Sequence, residues 1–131
     1  MSTLPDYPAL TADISAQLMP LRKSLPAVMK AFGDLGRAAT SPGALDEKTK
    51  ELIALAIGVA QRCDGCIGFH VRSLVRLGAS RAELDETLGM AVYMGGGPSL
   101  MYAANAIVAW DQFSAAAHPA PTSNDSAPTR T

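Results

Sequence analysis

Apolar residues recur at helical spacing along most of this chain, and the polar residues between them mark where helices begin and end. After a lead-in containing Pro5 and Pro8, Leu10, Ile14 and Leu18 predict a helix from Ala9 to about Met19, interrupted by Pro20. Pro26 fits the first turn of a second helix, with Ser24 nearby as a cap. That helix runs to about Ala39 with Val28, Met29, Phe32 and Leu35 on one side. Ser41-Pro42-Gly43 is a turn. Asp46 is placed to cap a third helix, with Glu47 in its first turn. From Thr49 to Arg62 that helix is apolar on all sides after Glu51, the pattern of a central, buried element, and Gly58 inside it implies close approach of another helix. Cys63-Asp64-Gly65-Cys66 opens the next helix, which runs to about Leu77 and is closed by Gly78. Ser80 and Glu83 form a capping box ahead of Leu84, Leu88, Ala91 and Val92. Gly95-Gly96-Gly97 breaks the pattern. Pro98 starts a last helix through Leu100, Ala104, Ile107, Val108 and Trp110. The fold class expected is all-α, a bundle of about five to six helices around a central helical hairpin. Residues 1–113 form one domain, and residues 114–131, rich in Ala, Pro, Ser and Thr, form a disordered tail.

Composition narrows the function classes. In 131 residues, 48% are hydrophobic and only 18% charged, so the surface keeps apolar area that subunit contacts would cover. A net charge of −1 leaves no basic excess for phosphates, against nucleic acid as a partner. The longest apolar run, Leu52 to Ala60, has nine residues, far short of the about 20 that a membrane-spanning helix needs. Met1 to Pro8 does not read as a secretion signal, so a cytoplasmic setting is expected. There a C-x-x-C is redox-active or metal-binding more often than structural.

The chemistry gathers on four residues: Glu51, Cys63, Cys66 and His70. Positions 63, 66 and 70 fall on one stripe of a helix, and Cys66 and His70 are i, i+4 neighbours. If the chain reverses near Arg62, the two helices make an antiparallel hairpin in which Glu51 and His70 differ in level by roughly 4–5 Å, a gap that a side chain and one water span. A thiol at a helix start has its thiolate stabilised by the dipole, an imidazole can take a thiol proton, and a carboxylate can orient the imidazole. Two thiols at this spacing form a two-electron switch. The plainer reading makes Glu51 half of an ion pair with Lys48 or Lys50. As a zinc set the four residues have the right types, but structural zinc sites draw on two separate pairs and no second pair exists.

The stretch Glu51-x11-Cys63-x-x-Cys66-x3-His70 resembles the core motif of the carboxymuconolactone decarboxylase and alkylhydroperoxidase D superfamily, with Leu45 to Ile53 and Leu77-Gly78-Ala79 as supporting flanks over about residues 42–112. The resemblance implies an all-helical domain, assembly into trimers or hexamers, and a thiol-dependent peroxidase or disulfide reductase acting on an organic hydroperoxide or a disulfide, without metal or organic cofactor. It implies a Glu51–His70 relay to Cys66 as the thiol that meets peroxide. Cys63 would resolve the product and exchange with a lipoyl-bearing or thioredoxin-like reductant. The helix-start position gives Cys63 a comparable claim to be the reactive thiolate. Alkylhydroperoxidase D members carry a histidine between the cysteines; here stand Asp64 and Gly65, and Asp64 puts negative charge beside the thiols. Two rival readings remain at this point: a lyase acting on a small lactone or carboxylate, and a non-enzymatic redox-sensing or metal-binding module.

Overall fold

Asp6 accepts the Ala9 N–H at 3.1 Å and starts α1 (Tyr7–Gln17), so the irregular lead-in ends sooner than Pro8, which occupies the first turn where a missing N–H costs nothing. The computed structural model describes residues 2–119, and every regular element among them is a helix. Pro20 breaks the first helix without ending helical structure: it opens a short α2 (Met19–Ser24), separated from α1 by Leu18 alone. The described residues therefore hold seven helical segments, where five to six were expected. Ser24 does not cap α3 (Pro26–Thr40). Its hydroxyl turns back to the Leu21 carbonyl, and Leu25 takes the cap position.

Asp46 caps α4 (Glu47–Ala60) through the Thr49 N–H at 2.7 Å, as the sequence indicated. The turn after α4 leads into α5 (Asp64–Arg76), which ends on Gly78 at φ +76°. The Ala79 N–H bonds the Leu74 carbonyl and the Gly78 N–H the Val75 carbonyl, the paired closure that a left-handed residue after a helix allows. The capping box of α6 (Arg81–Gly95) is complete: Ser80 Oγ accepts the Glu83 N–H at 3.1 Å, and Glu83 Oε1 accepts the Ser80 N–H at 2.9 Å. Gly96, at φ +73° and ψ −155°, makes the break before α7 (Gly97–Ala117) in a conformation open essentially to glycine alone. Helix α7 extends to Ala117, so the tail expected from residue 114 does not begin there. Its alanines, the best helix formers, continue the helix. His118 and Pro119 follow outside any helix, and residues 120–131 of the expected tail lie outside the described residues.

The core lies among α1, α4, α5, α6 and α7. Tyr7, Leu55, Val59, Ile67, Val71, Leu74 and Leu84 are fully buried, and α7 contributes Ala103, Ala106, Ala109 and Phe113. Each large aliphatic side chain so buried contributes about 1.5–3 kcal/mol. Small α7 residues let that long helix run close to its neighbours. Helix α4 packs against α5, α6 and α7, yet it is not covered on every side, since Ile53 and Ile57 remain about half exposed. Helices α2 and α3 bury no side chain, and Val28, Phe32 and Leu35 of α3 face outward. Among the described residues no helix is long and apolar enough to cross a membrane.

Candidate active site

The turn between α4 and α5 positions the first thiol. Arg62 adopts φ +56°, the left-handed conformation usually left to glycine. This lets the Arg62 N–H bond the Val59 carbonyl and the Cys63 N–H bond the Gly58 carbonyl, closing α4 in the same pattern that Gly78 gives α5. The chain thus reverses at Arg62, as the hairpin expectation required, and Cys63 ends one helix and caps the next. Its Sγ accepts the Cys66 N–H at 3.2 Å at the positive end of α5. A side-chain oxygen usually fills this place; here a sulfur does.

Cys66 sits one turn further in. Glycine at position 58 allows this, because a Cβ there would lie 3.0 Å from Cys66 Cβ, so the close approach implied by Gly58 is that of the thiol-bearing turn itself. Burial pushes the Cys66 thiol up to about 11, and the hydrogen bond with Cys63 and the Cys63 charge act the same way. Both cysteines are half-buried, and no disulfide joins them. The Cys63 sulfur already lies over the first turn of α5, against the backbone N–H of the residue that carries the second thiol.

Glu51 is buried on α4 and its Oε2 lies 2.6 Å from His70 Nδ1 of α5. The contact is direct, without the water that the helix levels alone suggested. With Nδ1 engaged by the carboxylate, Nε2 is the nitrogen left to exchange a proton, and the imidazole is about one-third exposed. No hydrogen bond joins His70 to either thiol among the described residues. The ion-pair reading of Glu51 does not hold: Lys48 pairs with Glu83 at 2.8 Å, and Lys50 Nζ donates to the Ser41 carbonyl. Among the described residues no group of three or more His, Cys, Asp or Glu side chains is placed to hold a metal ion.

Local pattern missed a third layer. The fully buried Tyr7 of α1 donates its hydroxyl to Asp64 Oδ1 at 2.6 Å, and Asn105 Nδ2 of α7 donates to the same oxygen at 3.2 Å. Asp64 therefore does not lie free beside the thiols. Tyr7 is itself fixed, since Gln112 Oε1 of α7 accepts its N–H at 2.8 Å while Gln112 Nε2 donates to the Pro5 carbonyl. Glycine again permits the approach. A Cβ at Gly68 would meet Thr11 Cγ2 at 2.7 Å and Tyr7 Cδ1 at 3.2 Å, and one at Gly65 would meet Ile14 Cδ1 at 3.1 Å. The only signal in the sequence was a pair of glycines in an otherwise apolar helix face, which marks a close neighbour without naming it.

Residues 26–109 match the sequence profile of the Carboxymuconolactone decarboxylase family. The chain is similar to a carboxymuconolactone decarboxylase family protein of known structure from Legionella pneumophila, at 60% identity and a TM-score of 0.81, covering 82% of this chain and 96% of that one. It is also similar to a family protein from Thermotoga maritima with a suggested part in an antioxidative response, at 31% identity and a TM-score of 0.70, covering 78% and 87% of the two chains. An uncharacterised protein of Cupriavidus necator is 39% identical over 110 residues, 84% of this chain and 97% of its own length. Fold, motif and relatives agree, and the chain belongs to the carboxymuconolactone decarboxylase family.

Proposed function

We propose that this family member is a thiol-dependent antioxidant oxidoreductase that reduces organic hydroperoxides, or small disulfides, through Cys63 and Cys66 with Glu51 and His70 as a proton relay. One observation carries the reading. The Cys63 sulfur caps α5 on the Cys66 N–H, in the same hairpin where a buried glutamate holds His70 by Nδ1. The suggested antioxidative part of the Thermotoga maritima relative agrees with it.

The resemblance implies that Cys66 meets the peroxide; the local electrostatics favour Cys63. Cys63 occupies the helix start, where the dipole and the free backbone N–H groups favour negative charge, while burial raises the Cys66 thiol further from neutrality. In this order the Cys63 thiolate attacks the terminal hydroperoxide oxygen. The O–O bond breaks, the sulfur becomes a sulfenic acid, and the alkoxide leaves and takes a proton to become the alcohol. Cys66 then attacks the Cys63 sulfur. Its proton passes by way of a water to His70 Nε2, the S–O bond breaks, the imidazolium returns the proton to the departing hydroxide, and water leaves as the disulfide forms. An external dithiol of lipoyl-bearing or thioredoxin-like chemistry returns two electrons and two protons. The relay thus serves Cys66, the thiol that burial raises to about 11.

The chain is proposed to work as a homo-oligomer, trimer or hexamer. The support is apolar surface of a kind rarely left to water: Phe32 and Leu35 on α3, with Tyr93 and Met94 on α6, are all more than half exposed.

The test is intact mass on reduced, chelator-treated protein after one equivalent of an organic hydroperoxide, with dimedone present in a parallel sample. Wild type is expected to lose two hydrogens. Cys66→Ser is expected to carry one dimedone adduct, and Cys63→Ser none. An adduct confined to Cys63→Ser reverses the order of the thiols. Unchanged wild-type thiols overturn the peroxidase reading and turn attention to a lyase activity that survives alkylation.

A further inference from the structure

The residue between the thiols that departs from the alkylhydroperoxidase D pattern is also the one most elaborately held. Asp64 is the first residue of α5, directly after the capping sulfur, and its Oδ1 receives two hydrogen bonds from two different helices. Neither donor is incidental. Tyr7 is fully buried and its backbone is anchored to α7 by Gln112. The helix that carries it rests on α5 at Gly68, where any larger residue collides with Thr11. Burial, and then the bond to Asp64, holds the Tyr7 hydroxyl well above the usual phenol range, so it remains a donor wherever the protein is folded near neutrality.

An unpaired carboxylate beside a thiolate disfavours the thiolate by like charge. Two donors on one oxygen draw that charge toward α1 and α7 and fix its direction. We propose that Tyr7 and Asn105 are positioning residues that hold the Asp64 carboxylate and thereby limit its repulsion of the reactive Cys63 sulfur. The inference deepens the dithiol reading above and rests on it for its biological meaning, although its chemistry can be measured without turnover. The fold thus supplies two partners for the acidic side chain between the thiols.

The experiment uses the full chain carrying Cys66→Ser, which leaves Cys63 as its single cysteine. The readout is the initial rate of alkylation by iodoacetamide at neutral pH, which follows the thiolate population. Asp64→Asn keeps an acceptor for Tyr7 and removes the charge, so Cys63 is expected to react at least about threefold faster, the effect of one nearby charge in a partly solvated site. Tyr7→Phe keeps the ring and leaves the carboxylate to Asn105 alone, so the rate is expected to fall. In the Asp64→Asn background Tyr7→Phe is expected to change nothing further. A purely structural role loosens the helix start in both variants and moves both rates the same way. Rates that move together, or a Tyr7→Phe effect that persists without the Asp64 charge, overturn the proposal. Where Tyr7→Phe fails to give a cooperative melt, Asn105→Ala removes the second donor and carries the same expectations. Hydroperoxide turnover by the chain with both cysteines is measured alongside. Opposed shifts without turnover overturn the dithiol function alone, and turnover without opposed shifts overturns this inference alone.

Discussion

Replacing Glu51 by glutamine removes one charge from the site and almost no volume. The carboxylate is buried and lies 2.6 Å from His70 Nδ1, so the variant keeps the packing of α4 on α5 and alters only what the imidazole feels. Two outcomes are open to the amide. It can accept from Nδ1–H, leaving the tautomer intact without the charge that stabilises an imidazolium. Otherwise it donates to Nδ1, and the ring proton moves to Nε2, the nitrogen that must accept. Either way the base is weakened. A hydrogen bond to a charged group contributes about 1.5–3 kcal/mol, so closing the Cys63–Cys66 disulfide should slow by about 10- to 100-fold. Attack on the hydroperoxide by Cys63 should be spared. The assay is rapid mixing of reduced protein with one equivalent of organic hydroperoxide, acid quenching, and intact mass over time. Wild type passes directly to the species two hydrogens lighter; Glu51→Gln should accumulate a sulfenic acid at Cys63 that dimedone traps. A variant that closes its disulfide at the wild-type rate would refute the relay. A variant slowed together with a large fall in melting temperature would place the fault in folding.

Three further outcomes follow from the same geometry. Gly68→Ala drives a Cβ to 2.7 Å from Thr11 Cγ2 and should lower stability by about 1–3 kcal/mol in urea unfolding, as overpacking does, with α1 displaced; unchanged stability would show that α1 does not bear on α5 as described. Arg62→Gly relieves a left-handed non-glycine residue and should raise stability by about 0.5–1 kcal/mol, while greater backbone freedom ahead of Cys63 lowers the rate of disulfide closure; a destabilised variant would count against strain at this turn. The Cys66 thiol is raised in the fold from 9.0 to about 11, so the folded state holds its proton over a range in which the unfolded chain has lost it. Its contribution to stability is complete below pH 9.0 and is lost as pH rises toward about 11, and Cys66→Ser should flatten that part of the reduced protein's stability curve. An identical slope in the variant would assign the alkaline loss to other groups, Tyr7 among them.

Much of the architecture was legible because its signals are local. The caps at Asp46 and Ser80, the stop at Gly78 and the break at Gly96 depend on residues within one turn of each other, and each appears in the fold as the pattern indicated. The errors are local as well. Proline in a first turn starts a helix as readily as it ends one, so Pro8 belongs to α1 and not to the lead-in, Pro20 opens α2 where an interruption is expected, and the alanines after Phe113 extend α7 where a tail is expected.

By itself the sequence determined an all-α chain, the order and ends of its principal helices, and the stripe that brings Cys63, Cys66 and His70 onto one helix with Glu51 on the preceding one, because helical periodicity and capping act over three to seven residues. Only the tertiary structure decided which groups meet across that scaffold. The water drops out between Glu51 and His70. Tyr7 and Asn105, 57 and 41 residues from Asp64, converge on its carboxylate. Burial, not sequence position, raises the Cys66 thiol to about 11. Such contacts depend on how closely helices pack, and here that closeness rests on Gly58, Gly65 and Gly68, whose missing side chains leave room without specifying what fills it.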